Sequence, residues 1–383
     1  MATRRIGIIL HGATSRIGTT QHLMNSLLPI RAEGGLPLAN GDRLVPDPIL
    51  VGRTADKLEA LAQRLGVTRW TTDLDAALAN PEDELFFECA FGGGRPELAR
   101  RALAAGKHIY LEKPVAETLA EVVALRADAE AAGAKHAVMQ DKIHLPGLAK
   151  LKTVLNLGSL GRLLSMKLEF GWWVFDGEHI PAQRTSWNYR KATGGGLVLD
   201  MFPHWRYVID HLFGAPTALT CHMRTAQPKR WDEQHRPYDV DVEDEARAIL
   251  EFPGGLVGEV FSSWATRIRR DDMLVVTAEG TQGSAVATLQ QCWTQSLANT
   301  PKPVFPVQAP QTMDFRSQWA EVPDMVPFKN SYRQAWELFL RHVAEEAPNT
   351  ASLAQAARGL QLIEACHESH NARRWVNLPA LEG

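Results

Sequence analysis

Short apolar runs alternate with longer amphipathic stretches along the first third of the chain. The apolar runs predict β-strands, and the stretches between them have the apolar spacing that is typical of helices packed on a sheet. The predicted strands are residues 5–10, 48–51, 85–90, 108–111 and 137–140, and the predicted helices are residues 17–30, 55–65, 74–79, 95–105 and 119–132. This alternation predicts a parallel sheet covered by helices, interrupted by a surface insertion at 33–47.

The pattern changes after residue 145 to longer β-rich runs joined by hairpin signals. Residues 246–252 and 256–264 flank a Pro-Gly-Gly turn, and residues 274–278 and 284–289 flank a Glu-Gly-Thr turn. Such hairpins predict an antiparallel sheet. Residues 331–344 and 351–370 have helical periodicity, while the Pro-rich residues 300–327 fit no regular element and are expected to form an ordered surface excursion.

The length of 383 residues also favours two domains, because a single domain usually holds about 100 to 200 residues. We predict an α/β domain at 1–142, a Rossmann-like, doubly wound parallel sheet that binds a dinucleotide. We predict an α+β domain at 143–383, built on a large, mostly antiparallel sheet, for substrate binding and oligomerisation. Apolar outward positions within 164–174 and 246–264 predict a homodimer or homotetramer formed through this sheet.

Composition and charge exclude several classes of partner. Apolar residues make up 45% of the chain, and no apolar run reaches the roughly 20 residues of a membrane-spanning helix. The 41 basic and 44 acidic residues leave a net charge of −3, which provides no large basic surface for nucleic acid or anionic lipid. We therefore expect a soluble protein whose partner is a small molecule.

The N-terminus and the cysteines predict a cytoplasmic location. Arg4 and Arg5 precede an apolar stretch at 6–10, but this stretch is shorter than the roughly 7 to 15 residues of an export signal. The four cysteines lie far apart in the sequence, which excludes a CxxC zinc or redox motif and favours free, buried thiols.

A glycine-containing turn follows the first predicted strand. Gly12 and Gly18 bound the segment Gly-Ala-Thr-Ser-Arg-Ile-Gly, which is one residue longer than G-x-G-x-x-G and leads into a predicted helix. This order of strand, turn and helix predicts that a pyrophosphate binds at the helix N-terminus, where Ser15 can offer a hydroxyl; the alternative is a purely structural turn. The cofactor contacts predicted here are Gly12, Thr14, Ser15, Arg16, Ile17 and Gly18.

The second predicted strand ends at Val-Gly-Arg-Thr (51–54) without a carboxylate. An NAD-selective enzyme normally has Asp or Glu at this strand end to bind the ribose hydroxyls. Arg53 and Thr54 can instead bind a 2′-phosphate by charge-assisted hydrogen bonds, so NADP is favoured over NAD. The alternative is an exposed arginine that caps the next helix. The remaining predicted cofactor contacts are Ala90, Phe91, Glu112 and Lys113.

Two groups of chemically active side chains stand out. The strand predicted at 108–111 runs into Glu112-Lys113-Pro114, which places a lysine at the carboxyl end of a parallel sheet, where ligands of this architecture bind. A triple glycine at 194–196 precedes Asp200 and His204, which share one face if this segment is helical. A lysine or histidine can carry the proton of an alcohol while a hydride leaves the same carbon.

Together these motifs resemble the Gfo/Idh/MocA oxidoreductases, which oxidise or reduce sugars, cyclitols and their derivatives with a nicotinamide cofactor. The resemblance extends over nearly the whole chain and includes the segments at 104–108, 157–162 and 280–284. It implies that Lys113 hydrogen-bonds the reacting oxygen, that His204 acts as or shares the acid or base, and that Asp200 orients the substrate or the histidine. The alternatives are a surface lysine paired with Glu112 and a core histidine.

The sequence also departs from the family pattern. The phosphate turn looks more like that of dihydrodipicolinate reductases, and Arg95 stands where family members often have a histidine. Gln140, Asp141 and Lys142 replace a common pairing of Asn and Arg. These departures make it unsafe to transfer a substrate from familiar members.

Aromatic and basic side chains are concentrated at 170–190. The apolar face of a sugar ring can lie on an indole while its hydroxyls or an anionic group contact a cation. The predicted substrate contacts are Lys142, Trp172, Arg184, Trp187 and Arg190. The alternative for Trp172 and Trp173 is that one lies in the core and the other in a subunit interface.

A divalent metal bound by Asp200 and His204 with Glu178 or His179 is a further alternative, but we predict no metal. The leading functional prediction is an NADP- or NAD-dependent oxidoreductase acting on a secondary alcohol or ketone of a sugar, glycoside or cyclitol. A second candidate is redox-neutral glycoside cleavage through a 3-keto intermediate, in which no reduced cofactor accumulates. A ligand-sensing protein on this scaffold is a third, which the catalytic motifs disfavour.

Overall fold

The computed structural model describes residues 2–90, 94–305 and 307–381, and the chain forms two compact units. The first unit contains Met1–His144, Lys329–Gln361 and Leu381–Gly383, and the second contains Leu145–Phe328 and Leu362–Ala380. The division near residue 144 lies close to the boundary expected at 142. The structure differs from two contiguous domains because the later segment, 329–361, belongs to the first unit.

A mostly parallel sheet forms the centre of the first unit. Its strands are β1 (Thr3–His11), β2 (Leu36–Pro37), β3 (Arg43–Val51), β4 (Trp70–Thr71), β5 (Leu85–Glu88), β6 (His108–Leu111) and β7 (His136–Val138). Across the described residues their order is β2-β3-β1-β5-β6-β7, with β4 also beside β3. Every pair is parallel except β2 with β3. The predicted Rossmann-like architecture is confirmed, and the carboxyl ends of β1, β3, β5 and β6 meet at one end of the sheet.

Helices connect these strands at nearly the predicted positions. They are a π-helical segment (Gly18–Leu27) that continues into α1 (Leu28–Ala32), then α2 (Ala55–Leu65), α3 (Leu74–Ala79), α4 (Arg95–Ala104) and α5 (Leu119–Ala131). The π-helical winding was not expected from the sequence. Its buried residues are Gly18, His22, Leu23, Ser26 and Leu27, so the buried positions recur every four to five residues. Wider turns of this kind are frequent at functional sites.

The surface insertion predicted at 33–47 is partly wrong, because residues 43–47 belong to β3 and pair with β1. Pro46 obscured this part of the strand, since proline has no N–H to donate to a neighbouring strand. The N–H of Leu50 points towards β4 and donates to the carbonyl of Arg69. Pro46 and Pro48 lie at even-numbered spacings from Leu50, so the backbone nitrogens of all three residues face the same edge of β3. Along this edge residues 45–49 pair with neither β2 nor β4, and the missing N–H groups of the two prolines therefore leave no partner unsatisfied.

A second, mostly antiparallel sheet forms the second unit and confirms the predicted α+β class. Its strands are β8 (Leu163–Gly171), β9 (Ala218–Arg224), β12 (Glu245–Glu251), β13 (Val257–Ser263), β14 (Leu274–Gly280), β15 (Gly283–Ala287), β16 (Cys292–Ser296), β17 (Ala320–Glu321) and β18 (Val376–Asn377), while β10 (Lys229–Trp231) and β11 (Pro237–Asp239) form a separate hairpin. Their order in the described residues is β17-β16-β15-β14-β8-β13-β12-β9-β18. Only β8 and β13 pair in parallel there. Between 300 and 327, β17 is the one regular strand or helix that the described residues form.

Helices cover one face of this sheet: α6 (Pro146–Asn156) lies on β15 and β16, and α7 (Leu197–Phe213) on β12 and β13. The prediction of apolar outward positions holds for Ile249 and Val257, which are 43% and 46% exposed. In β8 it holds for Leu164, which is 42% exposed, but the other exposed positions there, Ser165 and Lys167, are polar. The outer face is therefore mixed in polarity. No helix within the described ranges is both long and apolar enough to span a membrane.

Helix α8 (Ser331–Glu345) belongs to the first unit because its apolar side chains are buried there. Helix α9 (Leu353–Ala372) begins in the first unit and ends in the second. Trp336 and Phe339 of α8 are almost fully buried in the same apolar cluster as Phe87 and Tyr110. The Trp336 ring centroid lies 4.8 Å from those of both Phe87 and Tyr110. Such burial of large aromatic side chains is a major source of stability, and no local pattern reveals which sheet receives them.

Candidate active site

The predicted phosphate turn lies at the carboxyl ends of β1 and β3. The N–H of Gly12 donates to the carbonyl of Val51 over 3.0 Å, and Gly12 has a φ of +84°, a conformation that favours glycine. A Cβ at Gly12 would also clash with the backbone of Ala90, and one at Gly18 would come within 2.6 Å of the carbonyl oxygen of Gly12. Glycine at these two positions is therefore required for the tight packing of the turn.

The side chain of Ser15 stabilises this turn by hydrogen bonds. Its hydroxyl accepts the N–H of Gly18 over 3.0 Å and lies 3.4 Å from the carbonyl oxygen of Cys89, to which it can donate. The hydroxyl that the sequence suggested for a phosphate is thus already used to cap the following helix. Thr14 and Arg16 are exposed beside it, and Ile17 is half-buried. The first N–H groups of a helix have no acceptor within the helix, so this turn has the donors that a pyrophosphate needs.

Arg53 and Thr54 are exposed at the carboxyl end of β3, beside this turn. Thr54 is the residue that precedes α2, but its side chain makes no capping hydrogen bond. Arg53 has no side-chain hydrogen bond or ion pair with any other described residue. The structure therefore gives no support to Arg53 as a helix cap, and its guanidinium is accessible to an anionic ligand.

The segment after β5 is held by a buried carboxylate. Glu88 is 2% exposed, and its Oε1 accepts the N–H of Ala90 over 2.7 Å, while its Oε2 is paired with Nδ1 of His11 at the end of β1. Arg95, five residues later in the sequence, donates to the carbonyl of Ala90 and also to that of Pro114. Phe91, the other contact predicted in this segment, lies outside the described residues. Neither His11 nor Glu88 was singled out from the sequence.

Lys113 follows a second buried carboxylate. Glu112 is 5% exposed, and its Oε2 accepts the backbone N–H of Lys113 over 3.0 Å. Its Oε1 lies 3.0 Å from Nε2 of His22, and the indole N–H of Trp336 donates to Nδ1 of the same histidine over 3.1 Å. Both oxygens of Glu112 are thus bound within the first unit. The direct cofactor contact predicted for Glu112 is not supported by this geometry, in which the side chain faces the interior.

Lys142, a predicted substrate contact, also belongs to the first unit. Its Nζ is paired with Asp141, the neighbouring residue, which is 3% exposed. Asp141 and Glu112 both contribute, after burial, to raising the pKa of Tyr110, so the two carboxylates act on the same buried phenol. Lys142 is therefore placed beside a negative charge of its own chain rather than presented as an isolated cation.

In the second unit, the triple glycine allows two segments to approach closely at the start of α7. The N–H of Gly196 donates to the carbonyl of Asn188 over 2.9 Å, and a Cβ at Gly195 would lie 2.7 Å from that same oxygen. Glu243 accepts the N–H groups of Leu197 and Val198. These bonds fix the helix N-terminus, and the capping role of Glu243 was not anticipated from the sequence.

Asp200 and His204 lie one turn apart on α7, as the spacing predicted. Asp200 is in the first turn, where the helix dipole favours a carboxylate. His204 is 6% exposed, and its Nδ1 lies 2.8 Å from the hydroxyl of Tyr207. This contact orients the imidazole.

Arg184 is bound to Asp200 instead of being presented as a free cation. Its guanidinium donates to Asp200 and to the side-chain oxygen of Asn188, and it lies 4.1 Å above the ring of Trp264. Trp264 is fully buried, and its ring fixes the orientation of the guanidinium plane. The guanidinium is thus held both by this stacking and by its pairing with Asp200. The pairing and the stacking together make Arg184 a group that holds this carboxylate in position.

The other predicted substrate contacts are spread over the same unit. Trp187 is half-buried in a short 3₁₀ helix, Ser186–Tyr189, next to the triple glycine. Arg190 stacks on Tyr238 with 4.1 Å to the ring centroid. Trp172 follows β8 and packs edge-on against Phe170. Trp172 and Trp187 are both half-buried, so each retains surface for a ligand.

Each unit thus brings together its own predicted residues: the glycine turn, Arg53, Ala90 and Lys113 at the strand ends of the first, and Arg184, Asp200 and His204 around α7 in the second. Neither Glu178 nor His179 joins Asp200 and His204 in a metal-binding group. Across residues 2–90, 94–305 and 307–381, no three His, Cys, Asp or Glu side chains are placed to hold a metal ion.

Family models match both parts of the chain. Residues 48–140 match the model described as "Oxidoreductase family, NAD-binding Rossmann fold", and residues 148–286 match the "GFO/IDH/MocA C-terminal domain". A D-xylose dehydrogenase from Paenarthrobacter nicotinovorans is 42% identical over 383 residues, covering 99% of each chain. A mouse trans-1,2-dihydrobenzene-1,2-diol dehydrogenase is 26% identical over 259 residues, covering 67% of this chain and 71% of the relative.

Solved structures show the same fold. A levoglucosan dehydrogenase in complex with NADH and levoglucosan superimposes with a TM-score of 0.79 at 20% identity, covering 99% of this chain and 100% of the other. At this identity the likeness concerns the fold alone.

Proposed function

The chain belongs to the Gfo/Idh/MocA family of oxidoreductases, and we propose that it transfers a hydride between a nicotinamide cofactor and a secondary hydroxyl or ketone of a sugar. The observation that carries this proposal is the 42% identity to a D-xylose dehydrogenase over both units of the chain. The NAD-binding family model at 48–140 supports the cofactor class, and the lysine, aspartate and histidine described above supply the groups for proton transfer.

The cofactor, when bound, accepts or supplies the hydride. The residues that would hold it are those of the first unit: the turn from Gly12 to Gly18 for the pyrophosphate, Arg53 and Thr54 for the adenosine ribose, and the segment after β5 beginning at Ala90. The close glycine packing and the accessible helix N-terminus of the turn fit this role.

The proton is handled by the chain's own side chains. Lys113 would hydrogen-bond the reacting oxygen, so that negative charge developing there as the proton leaves is stabilised. His204 would take up or return the proton. Asp200, held by Arg184, would accept a hydrogen bond from a hydroxyl of the sugar or would orient the histidine. Because Arg184 is already paired with a carboxylate, this part of the chain is better suited to a neutral sugar than to a sugar acid.

A turnover screen tests the proposal directly. The purified protein would be incubated with D-xylose, other neutral sugars, sugar acids, glycosides and inositols, each with NAD⁺ and with NADP⁺, while the ultraviolet absorbance of the reduced nicotinamide is followed. We expect reduced cofactor to accumulate with at least one neutral sugar. Aglycone release from a glycoside without such accumulation would identify redox-neutral glycoside cleavage instead, and an absence of turnover in every combination would contradict both.

The catalytic assignment is tested by a pair of substitutions. Lys113→Ala should lower turnover by about 100- to 10,000-fold, the range of acid–base assistance, while cofactor affinity changes far less. His204→Ala should also lower turnover, and the double variant should lose less than the product of the two single losses, because both groups serve one proton transfer. Lys57→Ala, an exposed lysine of α2, is the control. Near-parental turnover of Lys113→Ala would reject the assignment.

We propose that NADP binds more tightly than NAD, because an accessible arginine and no carboxylate lie at the end of β3. Arg53→Ala should weaken NADP binding by about 10- to 100-fold, since a charge-assisted contact contributes about 1.5 to 3 kcal/mol. Binding of NAD should change by less than about threefold, and Lys57→Ala should affect neither. Titration calorimetry or fluorescence quenching measures both affinities. Equal affinities of the parent protein for NADP and NAD would contradict this proposal.

We propose further that the protein is a cytoplasmic homodimer or homotetramer assembled through the outer face of the second unit's sheet. Ile249 and Val257 are neighbouring exposed apolar side chains on that face, and burying them is favourable. Light scattering at micromolar concentration should show a dimer or tetramer, and the double variant Ile249→Glu/Val257→Glu should be monomeric. Leu157→Glu, at an exposed leucine after α6, should keep the parental mass. A monomeric parent protein would contradict the assembly.

A further inference from the structure

His22 is a fully buried histidine that the functional assignment above does not use. It lies in the π-helical segment after the phosphate turn, is 0% exposed, and packs 4.3 Å from the ring of Phe87. A histidine in such a place must have both ring nitrogens hydrogen-bonded, because an unsatisfied buried polar group is costly. Its two partners are Trp336 and Glu112, and neither is close to it in the sequence.

The partners of His22 define its protonation state. The indole N–H of Trp336 can only donate, so Nδ1 of His22 is the acceptor and carries no proton. The ring is therefore neutral, its proton is on Nε2, and Nε2 donates to Oε1 of Glu112 over 3.0 Å. Helix α8 thus selects one tautomer of a histidine that lies at the far end of the sequence.

The hydrogen bonds that begin at Trp336 and pass through His22 and Glu112 end at the backbone of Lys113. With Oε1 of Glu112 bound by His22, Oε2 is directed at the backbone N–H of Lys113 and accepts it over 3.0 Å. The result is a continuous series: the Trp336 indole, the His22 imidazole, the Glu112 carboxylate and the Lys113 amide. We call this series the Trp336–Lys113 relay.

The first unit contains the same construction once more. Glu88, after β5, binds the N–H of Ala90 with one oxygen and is paired with His11 through the other. In both cases a carboxylate at a strand end holds the chain that follows it, and a histidine from the element flanking the phosphate turn holds the carboxylate. Because His11 lies next to Gly12, the relay at His22 is the one that can be altered without touching the turn itself.

We propose that His22 and Trp336 are positioning residues for the reaction, which fix the place of Lys113 through Glu112 rather than by contact with substrate or cofactor. This inference rests on the proposed role of Lys113. Loss of the His22 donor frees one oxygen of Glu112, so the carboxylate can turn away from the Lys113 amide. A displacement of about 1 Å at a reacting group can cost about 100-fold in rate.

The test compares three substitutions in the full-length protein with a substrate found in the turnover screen. His22→Leu removes both hydrogen bonds and should lower kcat by about 10- to 100-fold, while KM for the cofactor changes by less than about threefold. His22→Gln keeps a donor near the position of Nε2 and should restore kcat to within about threefold of the parent. Trp336→Phe keeps the packed ring but not the donor, and should lower kcat by an intermediate factor.

Phe339→Leu is the matched control, because Phe339 lies on the same helix and packs 4.6 Å from Tyr110 without entering the relay. It should lower the melting temperature but leave kcat near the parental value. A parental kcat in folded His22→Leu would overturn the inference. Equal losses of kcat in His22→Gln and His22→Leu, or a comparable loss in Phe339→Leu, would also overturn it, since these results would indicate packing alone.

The outcome also separates this inference from the proposed function. If Lys113→Ala retains parental turnover, the catalytic role of Lys113 is wrong and the relay has no reaction to serve. If Lys113→Ala loses turnover and His22→Leu does not, only the relay is wrong. If His22→Leu does not fold, the comparison of Trp336→Phe with Phe339→Leu decides the question, because both retain a ring or branched side chain in the core.

Discussion

A buried carboxylate is stable only when its oxygens are hydrogen-bonded, and this requirement governs the end of the first unit at which the cofactor is proposed to bind. Glu112 meets it with the imidazole of His22 and the backbone of Lys113, and Glu88 with His11 and the backbone of Ala90. Each carboxylate therefore ties a chain segment at a strand end to the element that carries the phosphate turn. The position of Lys113 follows from the satisfaction of buried polar groups rather than from the lysine itself.

In the second unit, an arginine side chain rather than a histidine and a backbone N–H binds the carboxylate. Asp200 is held by Arg184, whose guanidinium is in turn stacked on the buried ring of Trp264. Trp264 packs edge-on at 5.4 Å against Tyr189, and Arg230 lies 3.9 Å above that ring. Burial raises the pKa of Tyr189 to about 12, so its hydroxyl stays protonated and neutral between the two arginines. A rigid stack of rings and guanidinium groups thus supports the carboxylate that we assign to the substrate.

The sequence predicted those features that depend on local patterns. Residues 108–111 and 55–65 have bounds that match β6 and α2, because apolar spacing and the flanking turns are local signals. The lysine after β6 and the one-turn spacing of Asp200 and His204 followed in the same way. Pro46 obscured the first half of β3, and the strand tolerates this proline because that side of residues 45–49 has no partner strand.

The sequence could not predict contacts made between distant segments. The hydrogen bond from Trp336 to His22 joins residues 314 positions apart, whereas the sequence predicted only a helix at 331–344, without an assigned partner. Arg184 looked like a cation for the substrate because nothing in the local sequence indicates that Asp200 neutralises it. Ser15 looked like a phosphate ligand, and its use as a helix cap depends on the actual path of the turn.

The central claim is that distant groups act on the reaction by placing Lys113, and the most direct measurement is kcat for His22→Leu in a Lys113→Ala background. If His22 acts only through Lys113, the second substitution should change the residual kcat by less than about threefold, because the group that it positions is already absent. If the loss caused by His22→Leu is as large in the Lys113→Ala protein as in the parent, the two residues act independently and the account is contradicted.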